Sequence, residues 1–400
     1  MNPATSRSGV RPLSDVTVVD LTQVMAGPFA TMLLGDMGAD VVKIEAIGRG
    51  DRSRNSPPRQ EYFDTMNRNK RSVALDLKSE EGQAVAASLI EAADVFIENT
   101  KPGRAAKFNL AYEDVREVND EIIYCSITGF GSDSPYAGVP AYDMVIQAMS
   151  GIMSMTGEAD GPPLWSGLPS GDLAAAMYAV QSVLLALYAR DTGQIDGEWI
   201  EVPMLDAAIS WLGPRAGHTF GTGEPFPRLG TQHLISAPFG VFQCADEPIV
   251  IAAGTNSLWY DLCAALDRPD LAAREDLDSR DGRADNVAEL REELERTLSE
   301  ATADEWVARL HDREVPAGPI NDTKTVWEDD HVEGRGLRLS MEREGRPDAE
   351  VIDAPIHFEN ILSGPQSPPP DLAEHTDDVL AELGYTSEEV DRLRDAGVVD

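Results

Sequence analysis

The feature that most constrains the fold is a repeated alternation of short apolar runs and longer amphipathic stretches through the first third of the chain. Short runs rich in β-branched residues predict buried strands, and helical spacing of apolar residues predicts helices between them. Strands that alternate with helices in this way form a parallel sheet covered by helices. The sequence therefore predicts an α/β fold. The predicted strands are 16–22, 40–45, 72–77, 94–98 and 122–127, and the helices between them include 28–38 and 79–92.

The pattern changes in the second half of the chain. Residues 142–154 and 172–190 predict helices, and the second is apolar almost all round, so we expect it to be buried on every side. From about residue 195, strand-like pieces alternate with turns and charged helices. Residues 223–232 are rich in Gly and Pro and predict a linker or loop.

Composition excludes several classes of function. The chain has 70 acidic and 33 basic residues and a net charge of −37, which repels nucleic acids and anionic lipids. The acids are spread along the chain and only six residues are lysine, which we interpret as adaptation to a salt-rich cytoplasm. Three separated cysteines and six scattered histidines predict neither a disulfide framework nor a metal site. We also expect no signal peptide in residues 1–15 and no membrane-spanning segment.

Against this acidic background, residues 49–71 are locally basic, and five of the six lysines lie within the first 107 residues. A positive patch on a very acidic protein is typical of a site for an anionic ligand. Pairing with nearby acids is the other explanation, and composition leaves both open. The basic residues of this stretch are Arg49, Arg52, Arg54, Arg59, Arg68, Lys70 and Arg71.

Two segments are candidates for a ligand or catalytic site. The turn after the first strand reads TQVMAGP, not GxGxxG, which disfavours a dinucleotide-dependent oxidoreductase. Asp172 follows a glycine-containing loop at the start of an apolar helix. It is either an N-cap for that helix or a nucleophile that the helix dipole keeps ionised, with Gly171 allowing a substrate to approach. The residues alone do not choose between these roles.

Eight segments stand out by their order and spacing along the chain. They are DLTQVMAGPFATMLLGDMGADVVKIE at 20–45, GD at 50–51, NRNKRSVALDLKSEEG at 67–82, ADVFIENTKPG at 93–103, AYDMVIQAMSG at 141–151, GPPLWSGLPSGDL at 161–173, PAGPI at 316–320 and EHTDDVLAELG at 374–384. Together they resemble the family III CoA-transferases of the CaiB/BaiF type, which include formyl-CoA and carnitine CoA-transferases, over nearly the full length. The resemblance implies that Asp172 is the catalytic nucleophile.

The resemblance also implies which residues hold coenzyme A. The family has a basic residue where Ala46 stands, and we expect Arg49 to compensate for it. A family arginine is Lys107 here. The implied contacts are Met25, Ala26, Ala46, Arg49, Leu75, Lys78, Asn99, Thr100, Lys101, Lys107, Tyr142 and Asp143.

Two features bear on the reaction and its substrates. The related α-methylacyl-CoA racemases have a histidine where Tyr142 stands, and a neutral tyrosine is a poor base near pH 7, so an isomerase is the weaker alternative. Residues 228–240 (RLGTQHLISAPFG) replace the glycine-rich flap of formyl-CoA transferases. The pattern is similar to members that use succinyl-CoA with a dicarboxylic acid such as mesaconate, citramalate or malate. Gln232 and His233 either contact the acceptor acid or shape this loop.

The resemblance implies a Rossmann-like large domain, formed by residues 1–220 and 326–400, and a smaller α+β domain at 221–325. It also implies an intertwined homodimer, and the three separated cysteines favour a reducing cytoplasm. Its substrates would be an acyl-CoA and a small carboxylic acid, and CoA would pass through an aspartyl-CoA thioester on Asp172. We expect no permanently bound cofactor and no metal. A non-catalytic CoA-binding protein is the alternative from another class.

Overall fold

The computed structural model describes residues 9–55 and 59–400, apart from the side chain of Arg59. Part of the stretch for which we expect no signal peptide, and residues 56–58 of the basic stretch, lie outside the described residues. The chain divides into two compact units. The first contains the described residues up to Ile152, Trp165–Gly217 and His331–Asp400, and the second contains Met153–Leu164 and His218–Asp330.

The first unit is built on a six-stranded sheet in the order β3-β2-β1-β4-β5-β6, and every pairing in it is parallel. The predicted α/β fold with a parallel sheet is therefore confirmed. In such a sheet the strand order reverses between β1 and β4, and ligands bind at the carboxyl ends of the strands at that point. The strands are β1 (Thr17–Leu21), β2 (Asp40–Ala46), β3 (Lys70–Leu75), β4 (Val95–Glu98), β5 (Ile123–Thr128) and β6 (Glu198–Pro203).

Helices cover both faces of this sheet because alternate strand residues point to opposite sides. Val18 and Val41 belong to one apolar cluster, and their neighbours Val19 and Val42 belong to another. In chain order, the helices among the described residues of this part are α1 (Ala26–Asp36), α2 (Arg59–Asn67), α3 (Glu80–Glu91), α4 (Tyr112–Val118), α5 (Asp143–Ser150), α6 (Ser170–Asp191) and α7 (Met204–Ser210), with 3-10 turns at Arg52–Asn55 and Ala105–Phe108.

The second unit has a three-stranded antiparallel sheet in the order β7-β8-β9. Residues 287–311 form two helices, because Thr302 caps a new one by accepting a hydrogen bond from the Glu305 N–H. The elements are α8 (Pro214–Thr222), which spans the boundary, then β7 (Phe239–Gln243), β8 (Pro248–Ala252), α9 (Asn256–Ala265), α10 (Pro269–Ala272), α11 (Arg280–Asp285), α12 (Val287–Leu298), α13 (Ala303–His311) and β9 (Ala317–Pro319), with 3-10 turns at Met153–Met155, Glu275–Leu277 and Thr325–Glu328.

The last segment of the chain returns to the first unit. It places the Val398 carbonyl 2.9 Å from the Asp76 backbone N–H, just after β3. Its elements are α14 (Asp330–Arg335), which begins at the boundary, the antiparallel pair β10 (Arg338–Met341) and β11 (Ala349–Ile352), and the helices α15 (Thr376–Glu382) and α16 (Ser387–Asp395).

Helix α6 has an exposed side, so the expectation that it is buried on every side is wrong. Ala175 and Ala179 are fully buried in the cluster that also contains α1, whereas Met177, Leu185 and Tyr188 are 49–67% exposed. By length and composition, α6 is the one helix of the described residues that is apolar enough to cross a membrane, which we did not expect from the sequence. Its alanine face instead packs into the core of the first unit, where small side chains allow close approach.

A cluster of buried charges lies beneath the turn between β1 and α1. Asp20 accepts from Lys70 Nζ at 3.0 Å, and Lys43 Nζ lies 3.0 Å from Asp51. All four side chains are inaccessible to solvent. Burial opposes the charge on Asp20, but Lys43 and Lys70 offset it and hold its pKa well below the usual range. Burial lowers the pKa of Lys70 to about 8, against the attraction of Asp20. Two anions and two cations thus neutralise each other.

Much of the basic stretch is used in the same way. Arg54 pairs with Glu45, Arg68 with Asp36 and Arg71 with Asp40. The first two pairs are almost completely buried. Together with Lys70, these residues follow the second of the two explanations, pairing with nearby acids, and they are not available to an anionic ligand.

We predict that Asp20→Asn lowers the free energy of unfolding by about 3–5 kcal/mol, because it leaves buried ammonium groups without a full countercharge. Asp40→Asn is the matched control. It breaks a more exposed pair with Arg71 and should cost at most about 1 kcal/mol. Urea unfolding at pH 7 measures both, and an equal loss in the two variants would contradict the importance of the buried cluster.

Candidate active site

A cavity opens in the first unit at the carboxyl ends of β1, β4 and β5, where the strand order reverses. The turns after β1 and β4 are tied together across this point. The Gln23 N–H donates to Asn99 Oδ1 at 2.8 Å, and Asn99 Nδ2 donates to the Gln23 carbonyl at 2.9 Å. The cavity is lined by 23–26, 99–102, Arg104, 127–131, Tyr136, 138–142, Arg52, Asp172 and Met204.

Asp172 lies in the first turn of α6 and faces this cavity. Its carboxylate accepts a hydrogen bond from the backbone N–H of Ala26, the first residue of α1. The N-cap of α6 is Pro169, so the interpretation of Asp172 as an N-cap is wrong. The loop and helix place the carboxylate at the reversal point of the sheet without making it part of the helix cap.

Gly171 allows two helices to pack closely. Its N–H donates to Asp143 Oδ1 at 2.8 Å, and a Cβ at this position would lie 2.7 Å from Cγ2 of Ile146. The missing side chain therefore lets the start of α6 pack against α5. We find no need to invoke substrate approach for this glycine.

Asp143 is a buried carboxylate behind Asp172. Besides the Gly171 bond, it accepts from Gln147 Nε2 at 2.7 Å and from Trp165 Nε1 at 3.1 Å. Burial, and then repulsion from Asp143, raise the pKa of Asp172 to about 7, although the Ala26 hydrogen bond acts in the opposite direction. Asp172 is therefore less readily ionised near neutral pH than we expected from the helix dipole. A carboxylate poised in this way is typical of a functional site.

The structure brings seven of the predicted site residues to one cavity and leaves the others elsewhere. Four of the others lie at or after the ends of β2 and β3, on the same edge of the sheet but outside the cavity lining: Ala46, Arg49, Leu75 and Lys78. Lys107 is exposed in the 3-10 turn Ala105–Phe108, and Asp143 is buried. The residues at the cavity are Met25, Ala26, Asn99, Thr100, Lys101, Tyr142 and Asp172.

Several residues at this cavity were not predicted from the sequence. Arg104 lines the cavity, and Arg52, named only as part of the basic stretch, also lines it. Tyr62 of α2 lies near enough to Asp172 that burial, and then the charges of Asp172 and Asp51, raise the pKa of its phenol. The one available signal was the density of basic residues around 49–71 and 101–107. Spacing gave no indication of Tyr62.

Gln232 and His233 belong to the second unit, where they line a separate cavity with Arg228 and Arg291. The His233 ring stacks on Phe239 at 4.9 Å, and its Nδ1 accepts from the Ile235 N–H at 3.3 Å. These contacts favour a role in shaping the loop. Whether either residue contacts an acceptor acid stays a prediction.

The raised pKa of Asp172 predicts a pH-dependent cost to stability. The folded protein holds the Asp172 proton more tightly than the unfolded chain does, whose pKa is near 3.8. The stability from this group is therefore complete below that value and is lost as the pH rises to about 7. Between pH 5 and 8, Asp172→Asn should gain up to about 3 kcal/mol of unfolding free energy relative to wild type.

Urea unfolding of both proteins across this pH range measures the difference. Asp206→Asn is the matched control, because Asp206 has the same position in the first turn of α7 but is exposed and outside the cavity. A difference between wild type and Asp172→Asn that does not change with pH would contradict the raised pKa.

Comparisons with known proteins agree with this geometry. A sequence model of CoA-transferase family III matches residues 13–376. The chain is 35% identical to human succinyl-CoA:glutarate CoA-transferase over 405 aligned residues, which cover 100% of this chain and 92% of the relative. It is 38% identical to succinyl-CoA:mesaconate CoA-transferase of Haloarcula hispanica, with 93% and 96% covered.

A solved structure shares the fold. The crystal structure of a CaiB/BaiF family protein from Brucella suis superimposes with a TM-score of 0.86 at 34% identity, and covers 93% of this chain and 99% of that one. The parallel sheet, the cavity at its reversal point and the match of sequence over most of the chain lead to one assignment. The chain belongs to CoA-transferase family III and is a CoA-transferase.

Proposed function

We propose that the protein transfers coenzyme A from succinyl-CoA to a small dicarboxylic acid through a covalent thioester on Asp172. The observation that carries the proposal is the position of the Asp172 carboxylate, which faces the cavity and bonds to the first N–H of α1. Relatives named for succinyl-CoA, and for glutarate or mesaconate, support the donor and the class of acceptor. Among dicarboxylates, mesaconate, citramalate and malate are the acceptors that we would test first.

The reaction would begin when an Asp172 oxygen attacks the thioester carbonyl of the donor. The C–S bond breaks, CoA leaves as a thiolate, and a mixed anhydride forms. The thiolate then attacks the aspartyl carbonyl, which forms the aspartyl-CoA thioester and releases the donor acid. The acceptor carboxylate enters, and the same steps run in reverse. No proton or electron is gained or lost overall, and covalent catalysis divides one difficult exchange into easier steps.

The Ala26 N–H would stabilise the negative charge that develops on Asp172 whenever the aspartyl carbonyl itself is attacked. It lies at the N-terminus of α1, where the helix dipole adds to its effect on an anion. The same donor that bonds the resting carboxylate can bond the oxyanion of each tetrahedral intermediate on Asp172. Because the pKa of Asp172 is raised to about 7, the fraction of protein with an ionised, nucleophilic Asp172 should rise as the pH increases through that value.

Two basic side chains at the cavity would bind the phosphates of CoA. Lys101 and Arg104 are exposed, both line the cavity, and neither forms an ion pair with a carboxylate of the described chain. On a protein with a net charge of −37, such a local positive pair favours a polyanionic ligand. The expectation that Arg49 compensates for the missing basic residue at Ala46 stays a prediction.

The isomerase alternative has less support. It requires a base for the substrate α-proton, and no histidine is present among the described residues that line the cavity. Tyr142 occupies the relevant position and is 68% exposed. The intertwined homodimer, the cytoplasmic location, the salt-rich habitat and the domain limits at 220 and 325 remain predictions.

We predict that succinyl-CoA labels Asp172. After incubation at pH 8 in concentrated KCl and trapping with hydroxylamine or borohydride, mass spectrometry should find the peptide with Asp172 modified. Asp172→Asn should show no label and no transfer activity, whereas Asp206→Asn should show both. An unlabelled Asp172 in active wild-type protein would rule out the covalent route.

We predict that Arg104→Ala raises the KM for succinyl-CoA by about fivefold to tenfold, the effect of roughly one screened charge-assisted hydrogen bond, with little change in kcat. The effect should shrink as salt is added, because salt screens exposed charges. Arg116→Ala is the control, since Arg116 is an exposed arginine on α4 outside the cavity. Equal KM values for the two variants would remove Arg104 from the CoA site.

A further inference from the structure

Val24 adopts a conformation that a valine rarely takes. Its φ is 70°, in the left-handed region, where a β-branched side chain is strained. Val24 lies in the turn between β1 and α1, lines the cavity, and comes two residues before Ala26. The direction of the Ala26 N–H therefore depends on a backbone turn that does not form readily by itself.

The backbone of Val24 itself is bonded to one buried carboxylate. The Val24 N–H donates to Asp51 Oδ1 at 3.1 Å, and Asp51 is 1% exposed. The same oxygen accepts from the Ser53 N–H at 2.9 Å and the Ser53 hydroxyl at 2.8 Å. Asp51 does not contact the cavity, since it is absent from the residues that line it.

The orientation of Asp51 is set by a buried cation. Lys43 Nζ lies 3.0 Å from Asp51 Oδ2 and donates to the Thr22 carbonyl at 2.8 Å. Burial raises the pKa of Asp51, but the charge of Lys43 and the hydrogen bonds from Lys43 and from the Ser53 and Val24 N–H groups outweigh it and hold that pKa below its usual value. The ionised carboxylate has one oxygen turned to Lys43 and the other to Val24.

We propose that Asp51 is a positioning residue that holds Val24 in its left-handed conformation and so directs the Ala26 N–H at Asp172. The inference rests on the proposed function, because the aim of that N–H matters only if Asp172 carries the reaction. Asp51 would act on kcat through the turn, without contact with either substrate.

Asp51→Asn tests the proposal at constant size. The amide has one oxygen, and the ammonium of Lys43 attracts it because an NH2 group cannot face that cation. The NH2 group then faces the Val24 N–H and cannot accept from it, so the hold on the turn is lost. We expect kcat to fall by about 10- to 100-fold, the range that corresponds to the strain of a left-handed non-glycine residue, with a small change in the KM for CoA. Ser53→Ala is the control, since it removes one donor to Asp51 and leaves the Lys43 and Val24 contacts; its kcat should remain within about twofold.

The decisive step is to repeat the Asp51 substitution in a Val24→Gly background. Glycine adopts positive φ without strain, so the turn no longer needs to be held. The loss of kcat caused by Asp51→Asn should then shrink to less than about fivefold relative to Val24→Gly alone. A role of Asp51 in charge balance or folding alone would give the same loss in both backgrounds, and that result would overturn the proposal.

Asp51→Glu extends the test should Asp51→Asn fail to fold. It keeps the charge opposite Lys43 but moves the oxygen that Val24 uses, so its kcat should fall and should recover in the Val24→Gly background. An undiminished kcat in Asp51→Glu would contradict the proposal. Labelling of Asp172 in the wild-type protein separates the two claims. If wild-type Asp172 is not labelled, the proposed function fails. If it is labelled but Asp51→Asn causes the same loss of kcat with and without Val24→Gly, only the positioning role fails.

Discussion

The buried charge cluster beneath the first strand is the constraint on which the rest of the first unit depends. Asp20 accepts from the Thr22 N–H, the Thr31 hydroxyl and Lys70 Nζ, at 2.8, 2.8 and 3.0 Å. Lys70 also donates to the Pro28 carbonyl at 2.9 Å. These bonds tie the end of β1, the start of β3 and the first turn of α1 to one point. Buried ions are costly unless they are fully paired, so the cluster allows few other arrangements of these elements.

The site shows an opposition between stability and reactivity. Asp172 is placed beside Asp143 in a poorly solvated position, and the two effects together raise its pKa to about 7. Poor solvation makes the ionised form less stable, and it also means that the carboxylate has less bound water to lose when it attacks a carbonyl. The fold holds it there through rigid neighbours: Asp143 is fixed by three donors, and the turn at Ala26 is fixed from β1, β4 and the buried cluster. Groups held in such unfavourable states are common at functional sites.

The sequence predicted those parts of the fold that periodicity records. The parallel sheet and most of its helices follow from apolar spacing. The exposed face of α6 could not be predicted, because apolar composition does not say which side meets the core. The family resemblance led to Asp172, Ala26 and Lys101, which line the cavity. Arg104 was not predicted, because the spacing of residues around it does not indicate that it faces a cavity. Ion pairs such as Arg68–Asp36 join residues far apart in sequence, so the basic stretch was open to two explanations until the contacts were known.

The most direct test of the account follows oxygen atoms from the acceptor acid. If the acceptor carboxylate attacks an aspartyl-CoA thioester, one acceptor oxygen becomes the bridge of the resulting anhydride. The CoA thiolate then attacks the acceptor carbonyl, and the bridging oxygen remains on Asp172. Turnover of succinyl-CoA with an oxygen-18-labelled dicarboxylic acid, followed by mass spectrometry of the peptide that contains Asp172, therefore measures the covalent step itself. Our account predicts that this peptide gains oxygen-18 during turnover. Product acyl-CoA formed at the normal rate, with no heavy oxygen in Asp172, would contradict it.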